Sequence, residues 1–351
     1  KNLKPSKELP LGFIDRQEKE LLIRDFVISN IKEVMIKYGF QYLETPSFEY
    51  TDSIGKFLPD KERPDEGVFS FRDGNKWLSL RYDLTAPLAR YVAKNYLEIP
   101  KPFKRYQLGT VWRNEKPGPG RFREFQQFDA DFVGTKNLMA DAELCLMISE
   151  ILKKCGLIER DFTIKFSSRK ILENLLDRYE IKKKERRLKV LRSLDKVDRL
   201  GWEAVEKLLG PGRKDESGDF TEGADLPEDV IDDLQSQLKY DDEETFTYEE
   251  WSKEVGGDAY KDIQSLEDNF KLYDLKNIKF DPTVIRGLEY YTGPIFEVNL
   301  NFDVQNSKGK TVQFGSIGGG GRYDNLVSNF GSFDCPATGI SIGIDRLVYA
   351  L

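Results

Sequence analysis

Residues 105–134, RYQLGTVWRNEKPGPGRFREFQQFDADFVG, concentrate side chains that bind charge. A strand-like run from Tyr106 to Trp112 delivers Arg113 and Glu115. Lys116-Pro117-Gly118-Pro119-Gly120 reads as a tight loop that reverses the chain. A second run then returns Arg121, Arg123, Glu124, Gln127, Asp129 and Asp131. So many charges on one hairpin are unfavourable unless something binds there. Planar guanidinium forks suit phosphates, and alternating carboxylates suit amine-like donors. The pattern predicts a polyanion site beside a site for a cationic or N–H-bearing small molecule.

Three further clusters carry chemistry. In Arg81-Tyr82-Asp83-Leu84-Thr85-Ala86-Pro87 a strand runs into a helix. Asp83 and Thr85 there either point into a cavity or, in the case of Asp83, serve as a helix N-cap. In Ile285-Arg286-Gly287-Leu288-Glu289-Tyr290-Tyr291-Thr292-Gly293 an arginine precedes paired tyrosines, which reads either as a site or as a salt bridge beside core aromatics. Gly318 to Asp324, GGGGRYD, allows close backbone approach to a ligand or forms a loose turn. It is followed by Gly343-Ile344-Asp345-Arg346-Leu347.

The composition limits what these residues do. The chain has 351 residues and no histidine. That removes Ser-His-Asp and Cys-His catalysis and every His-ligated zinc site. Cys145, Cys155 and Cys335 are scattered without metal-ligand spacing, which fits a reduced, cytoplasmic setting. No apolar run reaches the length of a membrane span and no signal peptide is recognisable. A net charge of −7 argues against indiscriminate nucleic-acid binding. Lys182 to Arg192, KKKERRLKVLR, is a local exception, either a solvated helix face or a basic patch. No Walker or dinucleotide glycine motif sits between a strand and a helix.

The elements that position these residues follow from periodicity. Residues 18–38 carry Leu21, Leu22, Phe26, Ile31, Val34 and Met35 at helical spacing, and Gly39 stops that helix. The strand QYLETPSFEY is cut by Pro46. Residues 67–84 read as a hairpin turning at Asp73-Gly74-Asn75, and 84–97 as a helix. Residues 141–155 read as a helix and 162–168 as a strand. From about 170 to 270 the pattern is helical and heavily charged, with no sustained β alternation. Strand character then resumes, followed by a Gly-rich turn, a short helix and the segment ATGISIGIDRLVYAL. The order predicts an α+β fold with a mostly antiparallel sheet and three segments: 1–170, a helical insertion domain at 171–270, and 271–351.

In combination these strings resemble histidyl-tRNA synthetase, a class II aminoacyl-tRNA synthetase family, and especially its alphaproteobacterial members. Residues 28–50 resemble motif 1, residues 105–134 motif 2 and residues 339–347 motif 3. RGLEYYTG and GGGGRYDNL are similar to the family's histidine-specific signatures, and LRSLDKVDRLG and GRKDESGDF extend the likeness through the insertion. The resemblance implies activation of L-histidine with ATP and Mg2+ to histidyl-adenylate, then transfer to the 3′ end of tRNA(His), by a homodimer. It implies that Arg113 holds the α-phosphate, Arg346 the γ-phosphate, and Arg286 the α-phosphate side in place of a metal ion. Glu115 and Phe125 would serve adenine, and Arg121 the phosphates or the substrate carboxylate. Asp83, Thr85 and Gln127 would take the α-ammonium group. Asp131 and Tyr291, with Tyr290 beside them, would address the imidazole. Many family members have glutamate where this chain has Asp83 and Asp131, so the shorter arms require small backbone shifts.

The resemblance also implies an anticodon-binding domain of roughly a hundred residues after Leu351. The chain is then either an excised catalytic core, the favoured expectation, or a naturally short protein, with the 182–192 helix as a candidate contact to the tRNA acceptor arm. The alternative is a histidine-sensing regulatory subunit of ATP phosphoribosyltransferase on the same fold. A sensor has no need of Arg113, Arg286 and Arg346, and all three are present.

Overall fold

The computed structural model describes residues 6–55, 67–117, 121–215, 218–238, 257–285, 291–305, 309, 311–312, 315–332 and 334–351. Among them the strands are β1 (Gln41–Tyr42), β2 (Phe48–Tyr50), β3 (Ser70–Asp73), β4 (Lys76–Leu80), β5 (Phe103–Trp112), β6 (Glu124–Val133), β7 (Phe162–Ser168), β8 (Gly212–Lys214), β9 (Phe220–Glu222), β10 (Ile278–Phe280), β11 (Pro294–Leu300), β12 (Val304–Gln305), β13 (Thr311–Val312), β14 (Ser316–Arg322) and β15 (Ala337–Gly343). Eight of them form one sheet in the order β1-β5-β6-β15-β14-β11-β7-β10. Only the two outermost pairings, β1 with β5 and β10 with β7, are parallel. The mostly antiparallel α+β architecture agrees with the sequence reading.

Side-chain alternation divides this sheet into unlike faces. Register puts Phe128 opposite Ile342, Ala130 opposite Ile340, Phe296 opposite Phe166 and Val298 opposite Ile164. These residues are buried and form the main core. Helices Glu18–Lys37, Met139–Lys154 and Ile344–Ala350 pack with them. The other face carries Arg105, Gln107 and Gly109 on β5 opposite Asp131, Asp129 and Gln127 on β6. It continues through Gly339, Ser341 and Gly343 on β15. One face is thus built for a core and the other for chemistry.

Two sequence expectations need correction here. In the first helix the buried stripe is Val27, Ile31, Val34 and Met35. Leu22 and Phe26, expected in that stripe, face outward. Gly318–Gly321 is no turn, because all four glycines lie in the fully buried strand β14. A Cβ on Gly320 would stand 2.0 Å from the Gly339 carbonyl oxygen, so glycine there lets two central strands approach.

Pro46 cuts its strand as expected. β1 joins the large sheet, whereas β2 joins the separate sheet β2-β4-β3. The β3–β4 hairpin turns at Gly74, which has φ of +58°. Between β7 and β10 the described elements are mainly helices, with one short hairpin of β8 and β9 that alternation was too brief to reveal. Helix Gly257–Leu272 returns to the sheet, where Phe270 meets Phe166 edge-on at 5.1 Å.

Candidate active site

The polar face is built upward from β6. Gln127, Asp129 and Asp131 lie two residues apart and all are buried. Gln127 donates its Nε2–H to Asp129 Oδ1 at 2.7 Å, and the Thr85 hydroxyl donates to Asp129 Oδ2 at 3.3 Å. The Tyr323 hydroxyl donates to Asp131 Oδ1 at 2.5 Å. Asp131 Oδ2 lies 2.9 Å from an Arg105 terminal nitrogen. No N–H is aligned on that oxygen among the described residues, so a buried acceptor retains hydrogen-bonding capacity.

The segment before helix Thr85–Lys94 roofs this row. Arg81 fastens it, donating to the Thr110 and Thr45 carbonyls at 2.8 and 2.7 Å. Asp83 Oδ1 accepts the Ala86 N–H at 3.1 Å, so it makes the end contact foreseen for it, from one residue before the cap position at Leu84. Asp83 is also buried among Arg105, Arg113 and Asp131, which places it in the cluster as well. The two readings of Asp83 are therefore compatible, since one carboxylate oxygen holds the helix end and the other stays available.

Three carboxylates crowd around one buried arginine, and their proton affinities reflect it. Burial raises the Asp83 carboxyl, which its hydrogen bond and Arg113 partly offset. Burial and then the Asp131 charge push Asp129 up to about 7. Burial raises Asp131 too, against the pull of Arg105. Asp129 has no ion pair among the described residues. The cluster is thus short of positive charge, a condition that an incoming ammonium would relieve.

Next to the carboxylates the sheet presents cations. Arg113, just beyond β5, donates its Nε–H to the Tyr82 carbonyl at 3.2 Å, and its guanidinium stands 5.1 Å from the centre of the Phe125 ring. Arg346 follows β15 and donates to the Ser316 carbonyl at 2.7 Å. Because β15 lies beside β6, Arg346 and Phe125 belong to the same end of the sheet. Glu115 and Arg121 are exposed on either side of the hairpin tip. Tyr291 is partly buried, its ring facing Gly321 of β14. Arg286, Tyr290 and residues 118–120 of the hairpin loop lie outside the described residues.

The structure adds Arg105 and Tyr323 to the residues foreseen, and it gives Asp129, already singled out on the hairpin, a place in the row. Alternation with Gln127 and Asp131 signalled Asp129. Arg105 and Tyr323 had no such signal, because their roles depend on pairing across strands distant in sequence. Arg322 is a structural neighbour. It is buried with Asp141 and donates to the Thr135 carbonyl at 2.7 Å, which fixes the strand that presents Tyr323.

The basic run at 182–192 is partly consumed internally. Arg186 donates to the Ala224 and Asp225 carbonyls, Arg187 pairs with Glu173 and Asp177, and Lys189 pairs with Glu222. Lys182, Lys183 and Lys184 remain exposed. Among the described residues no group of three or more Cys, Asp or Glu side chains could hold a metal ion by itself. No described helix is long and apolar enough to cross a membrane.

Comparison with known proteins shows the family to which the chain is similar. The family model for histidyl-tRNA synthetase matches residues 12–347. A histidine–tRNA ligase of Bartonella henselae is 50% identical over 362 residues, covering 100% of this chain and 73% of the relative. That of Rhodopseudomonas palustris is 50% identical over 370 residues, covering 99% and 73%. Among solved structures, a Bacillus halodurans protein described as an ATP phosphoribosyltransferase regulatory subunit/histidyl-tRNA synthetase matches with TM-score 0.78 and 25% identity, covering 99% of this chain and 84% of the other. Histidyl-tRNA synthetase from Nostoc matches with TM-score 0.76 and 23% identity, covering 98% and 75%, and so bears on the fold.

Proposed function

This chain belongs to the histidyl-tRNA synthetase family, and from that premise we propose how its residues perform the reaction. The activity is histidine–tRNA ligation in two steps. An oxygen of the histidine carboxylate attacks the α-phosphorus of ATP. The bond from that phosphorus to the bridging oxygen breaks, pyrophosphate leaves and histidyl-adenylate remains. A hydroxyl of the terminal tRNA ribose then attacks the activated carbonyl carbon, loses its proton, and AMP departs. Neither step needs a protein nucleophile. Both need positioning and charge neutralisation, which suits a chain without histidine.

The observation that carries this reading is the row Gln127, Asp129 and Asp131, ending beside Phe125, Arg113 and Arg346 on one sheet. Asp83, Thr85, Gln127 and Asp129 take the α-ammonium group. Asp131 Oδ2 accepts an imidazole N–H, and the Tyr291 hydroxyl addresses the other ring nitrogen. A pocket of buried polar groups rejects side chains that leave them unpaired, at about 1–3 kcal/mol per group. Arg113 holds the α-phosphate and Arg346 the γ-phosphate. Glu115 and Phe125 serve adenine, and Arg121 the phosphates or the substrate carboxylate. Arg286, with Tyr290 in the same signature, completes the α-phosphate side. Mg2+ enters with the nucleotide, as part of the substrate.

The same reading gives a cytoplasmic homodimer. Its support is an apolar face of β2-β4-β3, where register places the exposed Phe48, Tyr50 and Phe71 together, with Leu22 and Phe26 exposed on the first helix. The test of function is histidine-dependent ATP–pyrophosphate exchange, with and without Arg286→Ala. Exchange that requires histidine and collapses in the variant supports the ligase. Histidine binding with no exchange would favour the regulatory alternative, although relatives that are 50% identical carry the ligase name.

A further inference from the structure

Arg16 precedes the first helix and touches two segments far away in sequence. Its Nε and a terminal nitrogen lie 3.3 and 3.2 Å from the two oxygens of Asp345, in a forked pair. The same terminal nitrogen donates to the Glu124 carbonyl at 3.2 Å. Both side chains are largely buried, 13% and 9% exposed. Asp345 also accepts the Gln126 N–H at 2.7 Å. The β15–β6 ladder ends at the pair Gly343–Gln127, so this carboxylate supplies the acceptor one residue past the last strand pair.

The consequence falls on Phe125. Its peptide neighbours on both sides are held, Glu124 through its carbonyl and Gln126 through its N–H. Both restraints lead to the Arg16–Asp345 pair. Asp345 directly precedes Arg346, whose guanidinium is tied to the Ser316 carbonyl at 2.7 Å. One ion pair therefore sets the platform Phe125 against the cation Arg346.

We propose that Arg16 and Asp345 are positioning residues that fix the spacing between the Phe125 ring and Arg346, and so the fit of ATP. This rests on the synthetase reading above. Neither residue touches the carboxylate row that serves histidine, so the effect belongs to the nucleotide alone. A forked Arg–carboxylate pair holds two angles as well as a distance, which suits this task better than a single contact.

The experiment is ATP–pyrophosphate exchange on this chain with Asp345→Asn, Arg16→Gln, the double variant and Asp345→Glu. Asparagine keeps an acceptor for the Gln126 N–H, so the fold should survive, and thermal midpoints are recorded for each variant. The expected result is a rise of about 10-fold or more in KM for ATP, with KM for histidine within about twofold. The double variant should be no worse than the poorer single variant, and Asp345→Glu should recover part of the loss. Equal rises in both KM values, or additive losses, overturn the inference while leaving the synthetase reading intact. Absence of exchange in the unaltered chain removes the reading itself.

Discussion

The buried pair of Arg105 and Asp131 gives the sharpest test of how this site is held. Arg105 is 0% exposed and Asp131 3% by side chain, at 2.9 Å. Arg105 also donates to the Leu84 carbonyl at 3.1 Å, at the head of the segment that roofs the site. Asp83 and Asp129 stand nearby with no other ion pair among the described residues. Replacing Arg105 by methionine keeps most of the volume and leaves three buried carboxylates without their central cation. Removing one partner of a buried pair costs about 3–5 kcal/mol. That lowers the folded-to-unfolded ratio roughly 150- to 5,000-fold and the thermal midpoint by roughly 4–10 °C. Adding Asp131→Asn removes the orphaned charge, and the Tyr323 hydroxyl still finds an oxygen. The double variant should therefore be more stable than Arg105→Met alone, recovering about 2 kcal/mol. Chemical and thermal unfolding of the four proteins of this cycle measure it. A cost below about 1 kcal/mol for Arg105→Met, or strictly additive losses, would refute the argument that this cation organises the cluster.

Other outcomes follow from the same geometry. The Asp129 carboxyl, raised by burial first and by Asp131 next to about 7, holds a proton that the unfolded chain has already released. Its contribution to stability is therefore greatest near pH 4 and is lost as the pH rises through about 7. An ammonium ligand needs the ionised form, so affinity for L-histidinol should rise across that window in calorimetry. The difference from an Asp129→Asn profile cancels the ligand's own imidazole titration, and identical profiles would count against the role of Asp129. In Gly339→Ala the new Cβ would stand 1.8 Å from Asp131 Oδ1. Asp131 is anchored by Arg105 and Tyr323, so the strands must part, costing about 1–3 kcal/mol, and histidine affinity should fall at least 10-fold. Unchanged affinity would place histidine elsewhere. Phe71→Lys with Phe48→Lys, two rings in contact at 5.3 Å, should shift the sedimentation of this chain from dimer to monomer if the aromatic face is the self-association surface. Lys182→Glu with Lys183→Glu and Lys184→Glu should weaken tRNA charging and spare pyrophosphate exchange, and equal loss of both would exclude a tRNA contact there.

Much of this site was legible because it is periodic. Gln127, Asp129 and Asp131 recur at the strand spacing of two, which places them on one face before any coordinates are considered. Pro46, Gly39 and Gly74 punctuate the chain where their backbone chemistry requires. What escaped the sequence is what depends on pairing between distant strands. Gly318–Gly321 looked like a turn because glycine is permissive. In the sheet its value is the absence of side chains, which lets β14 and β15 approach. Leu22 and Phe26 fitted a helical stripe, but the helix is rotated so that Val27 joins the expected Ile31, Val34 and Met35 against the core. Arg105 and Asp131 are 26 residues apart in the chain, yet β5–β6 register sets them side by side. Alternation predicts a face but not which opposite charges will meet across it, because register is fixed by the whole hairpin. The same limit explains why the forked pair of Arg16 and Asp345, 329 positions apart, leaves no trace in local sequence. Motif residues announce the ligand they hold, whereas the residues that hold the motifs in place become visible only once the strands are paired.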